Sequence, residues 1–507
     1  MTGGHSKRGA FRFFVFLPAA LVWAAAACSY NHERPPAESA AHPKALEQVS
    51  VADRIQPYPG NPFYWQYKGR PVLLLGGSRQ DNLFNHPEGL AEHLDTLRAA
   101  GGNYVRNTMS SRNPGNPWPF RRLENGLYDL EQWDEEYWKR LENLLTLSLE
   151  RDVIVQIEVW DPWDYFKSEA PLGFGPENVG WESCPYNPAL NVNYTAEESG
   201  LAEEIDYYSR ATPTDHLFFH TPPELKDTPL VRRYQEAFVD KLLSVSLNYP
   251  NALYCMNNEI GEPPEWGRYW ARYIRARAEQ EGIPVFLADM RRNSDFQSEE
   301  QLNLLHDREH FDFFEISQNT ANNDQRHYDM IQSIRSRVQE APIPLNNVKI
   351  YGGEIGSWTT SVEEGTRRFW RNIFGGLASS RFHREGPSPH YFGIGLSELA
   401  RTHIRSMRML TDELQVFQGE PRNDLLSERE PNEAYCFAVE GRSYAVYFTN
   451  GSAVRLALPE RENGWRVRWL NVLESRWETE ATLAGGQDNR LSPPGAGQWA
   501  ALVVPAG

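Results

Sequence analysis

Ala252-Leu253-Tyr254-Cys255-Met256-Asn257-Asn258-Glu259-Ile260-Gly261 is an apolar run that stops at a carboxylate, and Ile350-Tyr351-Gly352-Gly353-Glu354-Ile355-Gly356 repeats the pattern. Each reads as a buried strand that offers one acid at its tip. Glu259 and Glu354 are 95 residues apart (354 − 259). Three strand–helix units of roughly 30 residues fill that interval, the repeat of a (β/α)8 TIM barrel. The two segments then become barrel strands four and seven.

Working outward, apolar β runs fall at residues 72–75, 103–107, 153–157, 252–256, 285–288, 311–316, 348–351 and 378–382. Helical periodicity lies between several of them. Leu90, Leu94 and Leu97 share one face, as do Tyr234, Phe238, Leu242 and Val245. Ser361 with Glu364 reads as a capping box for a helix burying Phe369, Trp370 and Ile373. Before the first strand, the alternation Phe63 to Tyr67 followed by Lys68-Gly69 predicts a hairpin. Past residue 417 the texture changes to short β runs at 435–439, 443–448, 454–458, 466–470 and 500–504. They predict a small C-terminal antiparallel β-sandwich. Its Trp465, Trp469, Trp477 and Trp499 read as packing core before they read as a glycan platform. The expected domains are a barrel over 51–416 and a sandwich over 417–507.

The chain has 507 residues and a formal net charge of −17, from 51 basic and 68 acidic side chains. That balance argues against nucleic acid or an anionic membrane surface as partner. The 16 Trp and 23 Tyr are compatible with stacking on sugar rings, although most such residues build core. Lys7, Arg8 and Arg12 flank an apolar stretch from Phe13 to Ala27 that is short for a membrane span. It ends Ala25-Ala26-Ala27-Cys28, similar to a bacterial lipoprotein cleavage box, though Leu is missing three places before the cysteine. Residues 1–28 are thus an export signal with a lipid anchor expected at Cys28, an ordinary secretory leader being the alternative. Ser29 after the cysteine resembles an outer-membrane address. Residues 29–50 are Pro-, Ala- and Glu-rich and read as a tether. The remaining Cys184, Cys255 and Cys436 are odd in number and widely spaced, so no disulfide framework is expected. With no CxxC pair and no His cluster, no metal and no cofactor is called for.

Barrel sites form at the C-terminal strand ends. Those ends carry Asp81, Asn82, Arg106, Glu158, Trp160, Asp161, Asn258, Glu259, Asp289, Gln318, Asn319, Glu354 and His383. So polar a rim suits a hydroxyl-rich substrate. The plainer alternatives are ion-pair roles for the two glutamates, a structural salt bridge for Arg106, and capping of the next helix by Asp81 and Asn82.

Asn258-Glu259 at the fourth strand, Glu354 at the seventh and Asn103-x-Val105-Arg106 at the second resemble clan A of the glycoside hydrolases, the cellulase and β-mannanase type. The resemblance spans about residues 60–400. It implies a carbohydrate substrate, Glu259 as acid/base, Glu354 as nucleophile, and cleavage with retention. Arg106 beside Glu354 would keep that acid ionised, and neutral Asn258 beside Glu259 would favour its protonated form. Asn258 would also bond the sugar 2-hydroxyl. Ser317-Gln318-Asn319 and Phe382-His383-Arg384 depart from the Tyr or His and the Trp usual after strands six and eight, and Glu158, Trp160 and Asp161 are unusual at the third. The reacting sugar's subsite is therefore expected to differ. Trp160, Trp163, Tyr165, Phe166 and Trp181 in the long third loop are expected to wall the cleft, with a self-packed loop as the alternative. The rivals are a non-catalytic surface glycan-binding lipoprotein, and a lyase or metal-assisted barrel hydrolase. A uronate lyase would want Lys, Tyr or several Arg near the site. The sugar, the linkage, endo or exo action and the oligomeric state have no signature in the sequence.

Overall fold

The computed structural model describes residues 50–167, 179–206, 215–353, 361–385 and 392–507. The leader with Cys28, the tether up to residue 49, and Glu354 lie outside the described residues. Strand and helix alternate in the order β1 (Leu74–Gly77), α1 (Leu90–Ala99), β2 (Tyr104–Thr108), α2 (Glu135–Glu150), β3 (Ile154–Trp160), α3 (Pro229–Ser246), β4 (Ala252–Asn257), α4 (Pro264–Gln280), β5 (Leu287–Ala288), α5 (Glu299–His306), β6 (Phe314–Glu315), α6 (Asp324–Arg337), β7 (Leu345–Asn346), α7 (Val362–Phe374), β8 (Ser379–Phe382) and α8 (Glu398–Leu414). Six strands pair in parallel in the order β5-β4-β3-β2-β1-β8, and β6 pairs with β7. An Ile350–Phe382 bridge ties the chain after β7 to β8, and the Asp312 amide donates to Leu287 O at 2.8 Å beside β5. These contacts close a (β/α)8 barrel, as the carboxylate spacing predicts. Strand seven starts at Leu345 and not at 348.

The hairpin forms as expected. Trp65–Tyr67 pairs with Arg70–Val72, and both turn residues adopt positive φ, Lys68 at 51° and Gly69 at 68°. That is the turn whose twist matches two antiparallel strands. Its Trp65 indole donates to Asn346 Oδ1 at 2.9 Å and packs edge-on against Phe313, plugging the N-terminal end of the barrel. Leu90, Leu94 and Leu97 are buried along α1. At α7, Ser361 Oγ accepts from the Glu364 amide at 3.0 Å, but the Glu364 carboxylate turns to Arg371 and to the Asp324 amide. Only half of the capping box is present. A Cβ on Gly352 would lie 2.6 Å from Gly365 Cα, so this glycine pair lets α7 sit directly on the end of strand seven.

The third loop packs on itself. Tyr165 stacks on Phe218 at 4.1 Å, Phe166 lies parallel to Phe219, and Trp181 is buried against His216. The expected aromatic cleft wall is thus a small core of its own for Tyr165, Phe166 and Trp181, because large apolar rings gain most by leaving water together.

The C-terminal strands are β9 (Glu420–Pro421), β10 (Leu426–Ser427), β11 (Ala434–Val439), β12 (Ser443–Phe448), β13 (Val454–Leu458), β14 (Trp465–Asn471), β15 (Arg476–Leu483), β16 (Gly486–Leu491) and β17 (Trp499–Pro505). They form a six-stranded sheet, β9-β11-β12-β17-β14-β15, over a three-stranded one, β10-β13-β16, which is the expected antiparallel sandwich. Trp465, Trp469 and Trp499 lie in the core between the sheets. Trp477 is half-buried beneath the Arg468 guanidinium, 4.2 Å away. The other face of the six-stranded sheet offers Tyr435, Phe437, Tyr447 and Leu502 to the barrel's own core. There Trp370 of α7 stacks on Tyr447 at 4.9 Å. Val49–Gly507 accordingly form one compact unit.

Candidate active site

Strand four changes partner at its tip. The Asn258 amide still donates to Trp160 O of β3 at 2.9 Å, whereas the Ile260 amide donates to Met290 O beyond β5 at 3.1 Å. Glu259 is the residue between these two pairings, with φ +54°. For a non-glycine residue that conformation costs about 1–2 kcal/mol, and such strain gathers at functional sites.

Glu259 Oε1 meets Lys349 Nζ at 2.6 Å. Lys349 is only 2% exposed, and its backbone amide is held by Ser317 Oγ and Asn347 Oδ1, each at 3.1 Å. Its ammonium also donates to Asn258 Oδ1. The Asn258 amide nitrogen donates to Asp161 Oδ1 at 3.1 Å, and Asp161 Oδ2 accepts from Arg112 at 3.0 Å. Arg112 continues to Asp81 at 3.1 Å, which also binds Arg106 at 2.7 Å and Arg384 at 2.9 Å. Arg106 closes the series with a two-pronged bond to Glu158, both contacts 2.6 Å. Alternating charges thus run across the barrel mouth from Lys349 to Glu158. Fork-to-carboxylate pairs fix geometry as well as charge.

The network sets protonation states. Burial pushes the Glu259 carboxyl up, but the Lys349 ammonium, a hydrogen bond from Gln318 and the Arg106 charge bring it down to about 2. Burial also opposes ionisation of Asp81, yet the Arg106, Arg384 and Arg112 charges hold it well below the usual carboxylate range. Burial, helped by the Arg106, Arg384 and Lys349 charges and opposed by Asp81, drives His383 well below its ordinary value, so its imidazole is neutral. His383 lies 3.5 Å from Asp81 Oδ1 and faces the Tyr351 ring at 4.4 Å. Two other acids go the opposite way. Burial and the Asp161 charge raise Asp164 to about 8, and burial raises Glu315 inside the barrel to about 7.

Several expectations need correction. Arg106, Glu158, Asp81 and Asp161 are a buried frame, with both oxygens of each carboxylate engaged, and do not offer themselves to sugar hydroxyls. The Arg106 guanidinium is taken up by Asp81 and Glu158, the structural bridge weighed above. Glu259 is not held in its protonated form, because an ammonium on the far strand outweighs its neutral neighbour Asn258. Trp160 is fully buried among Phe238 of α3 and Trp266 and Trp270 of α4, where it packs instead of stacking on a ligand. Asn82 bonds Ser110 O at 3.0 Å and Asn113 at 2.9 Å, tying loops together; it does not cap the short helix that follows. Asn319 is fully buried between His327 O and Asn322. Asp289 accepts from Asn257 at 2.6 Å. The groups at the mouth that retain exposure include Glu259, its side chain 15% exposed, Arg384 at 18%, and Tyr351. Gln318 is buried against Glu259.

Sequence reading passed over Lys349 and Arg112, and it named Arg384 only as a departure after strand eight, without a role. Lys349 had a signal: a lysine within an apolar barrel strand almost never goes unpaired. Among the described residues, no group of three or more His, Cys, Asp or Glu is arranged to hold a metal ion.

No protein-family model and no curated protein matches the sequence. Solved structures do match in shape. A glycoside hydrolase family 5 structure from Bacteroides vulgatus aligns with a TM-score of 0.59 at 12% identity, over 89% of this chain and 93% of that one. A second glycoside hydrolase gives 0.58 at 10% identity, over 90% and 97%. A glycoside hydrolase family 5 mannosidase from Rhizomucor miehei gives 0.50 at 13%, over 73% and 99%. The resemblance to the cellulase and β-mannanase clan holds at the level of the fold, and the first two matches extend over the sandwich as well as the barrel.

Proposed function

We propose that this chain is a glycoside hydrolase that cleaves O-glycosidic bonds with retention, through Glu259 as acid/base and Glu354 as nucleophile. The observation that carries this reading is Glu259 itself. It is presented at the mouth of the barrel on a strained backbone, one residue past Asn258, and its side chain keeps some exposure beside Lys349, while Asp81, Glu158 and Asp161 are buried in their ion pairs. The chain leading to Glu354 is fixed up to Gly353, whose amide donates to Phe392 O at 3.2 Å. In the reaction Glu354 attacks the anomeric carbon, the leaving oxygen takes a proton from the Glu259 side, and water then hydrolyses the glycosyl ester. The reading as a glycan-binding protein does not account for a strained acid at the strand tip.

A panel of aryl glycosides and polysaccharides identifies the sugar. On the best substrate, Glu354→Ala abolishes turnover and added azide restores it as the glycosyl azide of inverted configuration. Undiminished turnover in Glu354→Ala overturns the assignment.

A further inference from the structure

We propose that Lys349 is the proton partner of Glu259, so that the working acid of this site is a Lys–Glu pair sharing one proton. The inference rests on the hydrolase reading above and adds a residue to it. Three observations converge. Lys349 is buried, it sits 2.6 Å from Glu259 Oε1, and its ammonium is oriented by Asn258, the neighbour of the acid it serves. Its position is set by Ser317 from the end of strand six and by Asn347 from its own segment, so the contact runs across the barrel mouth from the end of strand seven to the tip of strand four.

The pairing poses a chemical problem that the proposal resolves. A carboxylate held by an ammonium has no proton to give to a leaving group. A Lys–Glu ion pair keeps its charge-separated form by solvation. When a substrate covers the mouth and expels water, that form loses solvation and the neutral pair becomes competitive. The proton then passes from Lys349 Nζ to Glu259 Oε1 along the existing hydrogen bond. It goes on to the glycosidic oxygen as the C–O bond breaks and the bond to the nucleophile forms. Lys349 is left as the amine and Glu259 as the carboxylate, while the nucleophile's charge disappears into the ester. In the second half, water attacks the sugar, its proton goes to Glu259, and from there it returns to Nζ.

Other groups around the pair bear on its titration. Gln318 and Arg106 act on Glu259, Tyr351 faces it, and Glu315 and His383 lie within range of Lys349. Arg106 stays charged and His383 neutral. Glu315 titrates at about 7, so Glu315→Gln serves as the control for any limb in that region.

The test compares kcat/KM against pH for wild type, Lys349→Met and Lys349→Arg, with a dinitrophenyl glycoside and with an unactivated glycoside of the same sugar. The pair predicts that Lys349→Met shifts the basic limb downward by about 1 pH unit or more, since a lone buried glutamic acid then supplies the proton. It predicts a selective loss on the unactivated substrate, with the dinitrophenyl rate kept. Lys349→Arg preserves the charge but cannot release a proton, so it shows the same selective loss. Wild-type rates in Lys349→Arg, an unmoved limb in Lys349→Met, or equal loss on both substrates overturns the proposal. Isotope-edited infrared titration of the Glu259 carboxyl gives a readout without turnover, and its midpoint rises in Lys349→Met. An unmoved midpoint overturns the pair, whereas full activity in Glu354→Ala overturns the hydrolase reading and leaves the infrared test standing.

Discussion

Arg106, Asp81 and Glu158 show how one buried guanidinium can organise a strand end. It makes two contacts of 2.6 Å to Glu158 and one of 2.7 Å to Asp81, and all three residues are buried. Removing one member of such a group leaves a charge without its partner in a low dielectric. Glu158→Leu is expected to destabilise the protein by about 3–5 kcal/mol in urea titrations. The double change Arg106→Met with Glu158→Leu should cost clearly less than the sum of the single ones. Additive losses would show that the pair is not coupled. Much at this scale was legible: a polar residue at the tip of an apolar run marks a barrel mouth, and Asp81, Arg106, Glu158, Asn258 and Glu259 all gather there. What each one does was not legible, because ionisation depends on neighbours across the barrel. Lys349 is 90 residues from Glu259 in sequence (349 − 259) and touches it in space. Trp160 misled for a related reason. Its place at a strand end suggested the cleft, but the strand's final residue turns between two helices.

The short helix Pro162–Asp164 follows β3 and carries the acid Asp164, buried under Ser110 and Ser111. Burial and the neighbouring Asp161 raise Asp164 to about 8. The folded protein therefore keeps a proton there that the unfolded chain releases near pH 4. Stability must then fall as pH rises from about 4 towards 8, and the loss is complete above that. The carboxamide of Asn, like the protonated acid, is neutral with one donating and one accepting end. Asp164→Asn should match wild type in Tm near pH 4 and exceed it increasingly up to pH 9, as read by calorimetry. A constant difference across that range would rule this out. Elements of this kind divide by visibility. Helices α1 and α3 declared themselves through apolar spacing, and the hairpin through Lys68-Gly69. Strands β15 and β16 did not, since much of β15 is exposed and no buried face imposes alternation on it. The third loop's aromatic residues were visible, but whether they would face a ligand or one another depends on Phe218 and Phe219, some fifty residues downstream of Tyr165.

Away from its exposed edge strand β15, the six-stranded sheet is packed on both faces. One side holds Trp465, Trp469 and Trp499 against the smaller sheet, and the other holds Tyr435, Tyr447 and Leu502 against the barrel. Deleting 417–507 would expose Trp370, Phe374 and much of α8 to water. The truncated chain is expected to be insoluble or to lack a cooperative transition, and the full chain to unfold barrel and sandwich together in calorimetry. A soluble, cooperatively folding barrel of residues 51–416 would refute this. Polar ties reinforce the joint: Gln498 donates to Thr366 Oγ1 at 3.0 Å and Arg371 to Asn432 at 2.8 Å, both reaching α7. This helix is capped by Ser361, and it rests on the end of strand seven through the Gly352–Gly365 contact. Gly353, whose amide donates to Phe392 O, and Ser361, which caps a helix bolted to the sheet, are therefore both firmly held. A change as remote as Tyr447→Ala would loosen the helix that Ser361 caps, so the sandwich sets how firmly the strand-seven side of the barrel mouth is held.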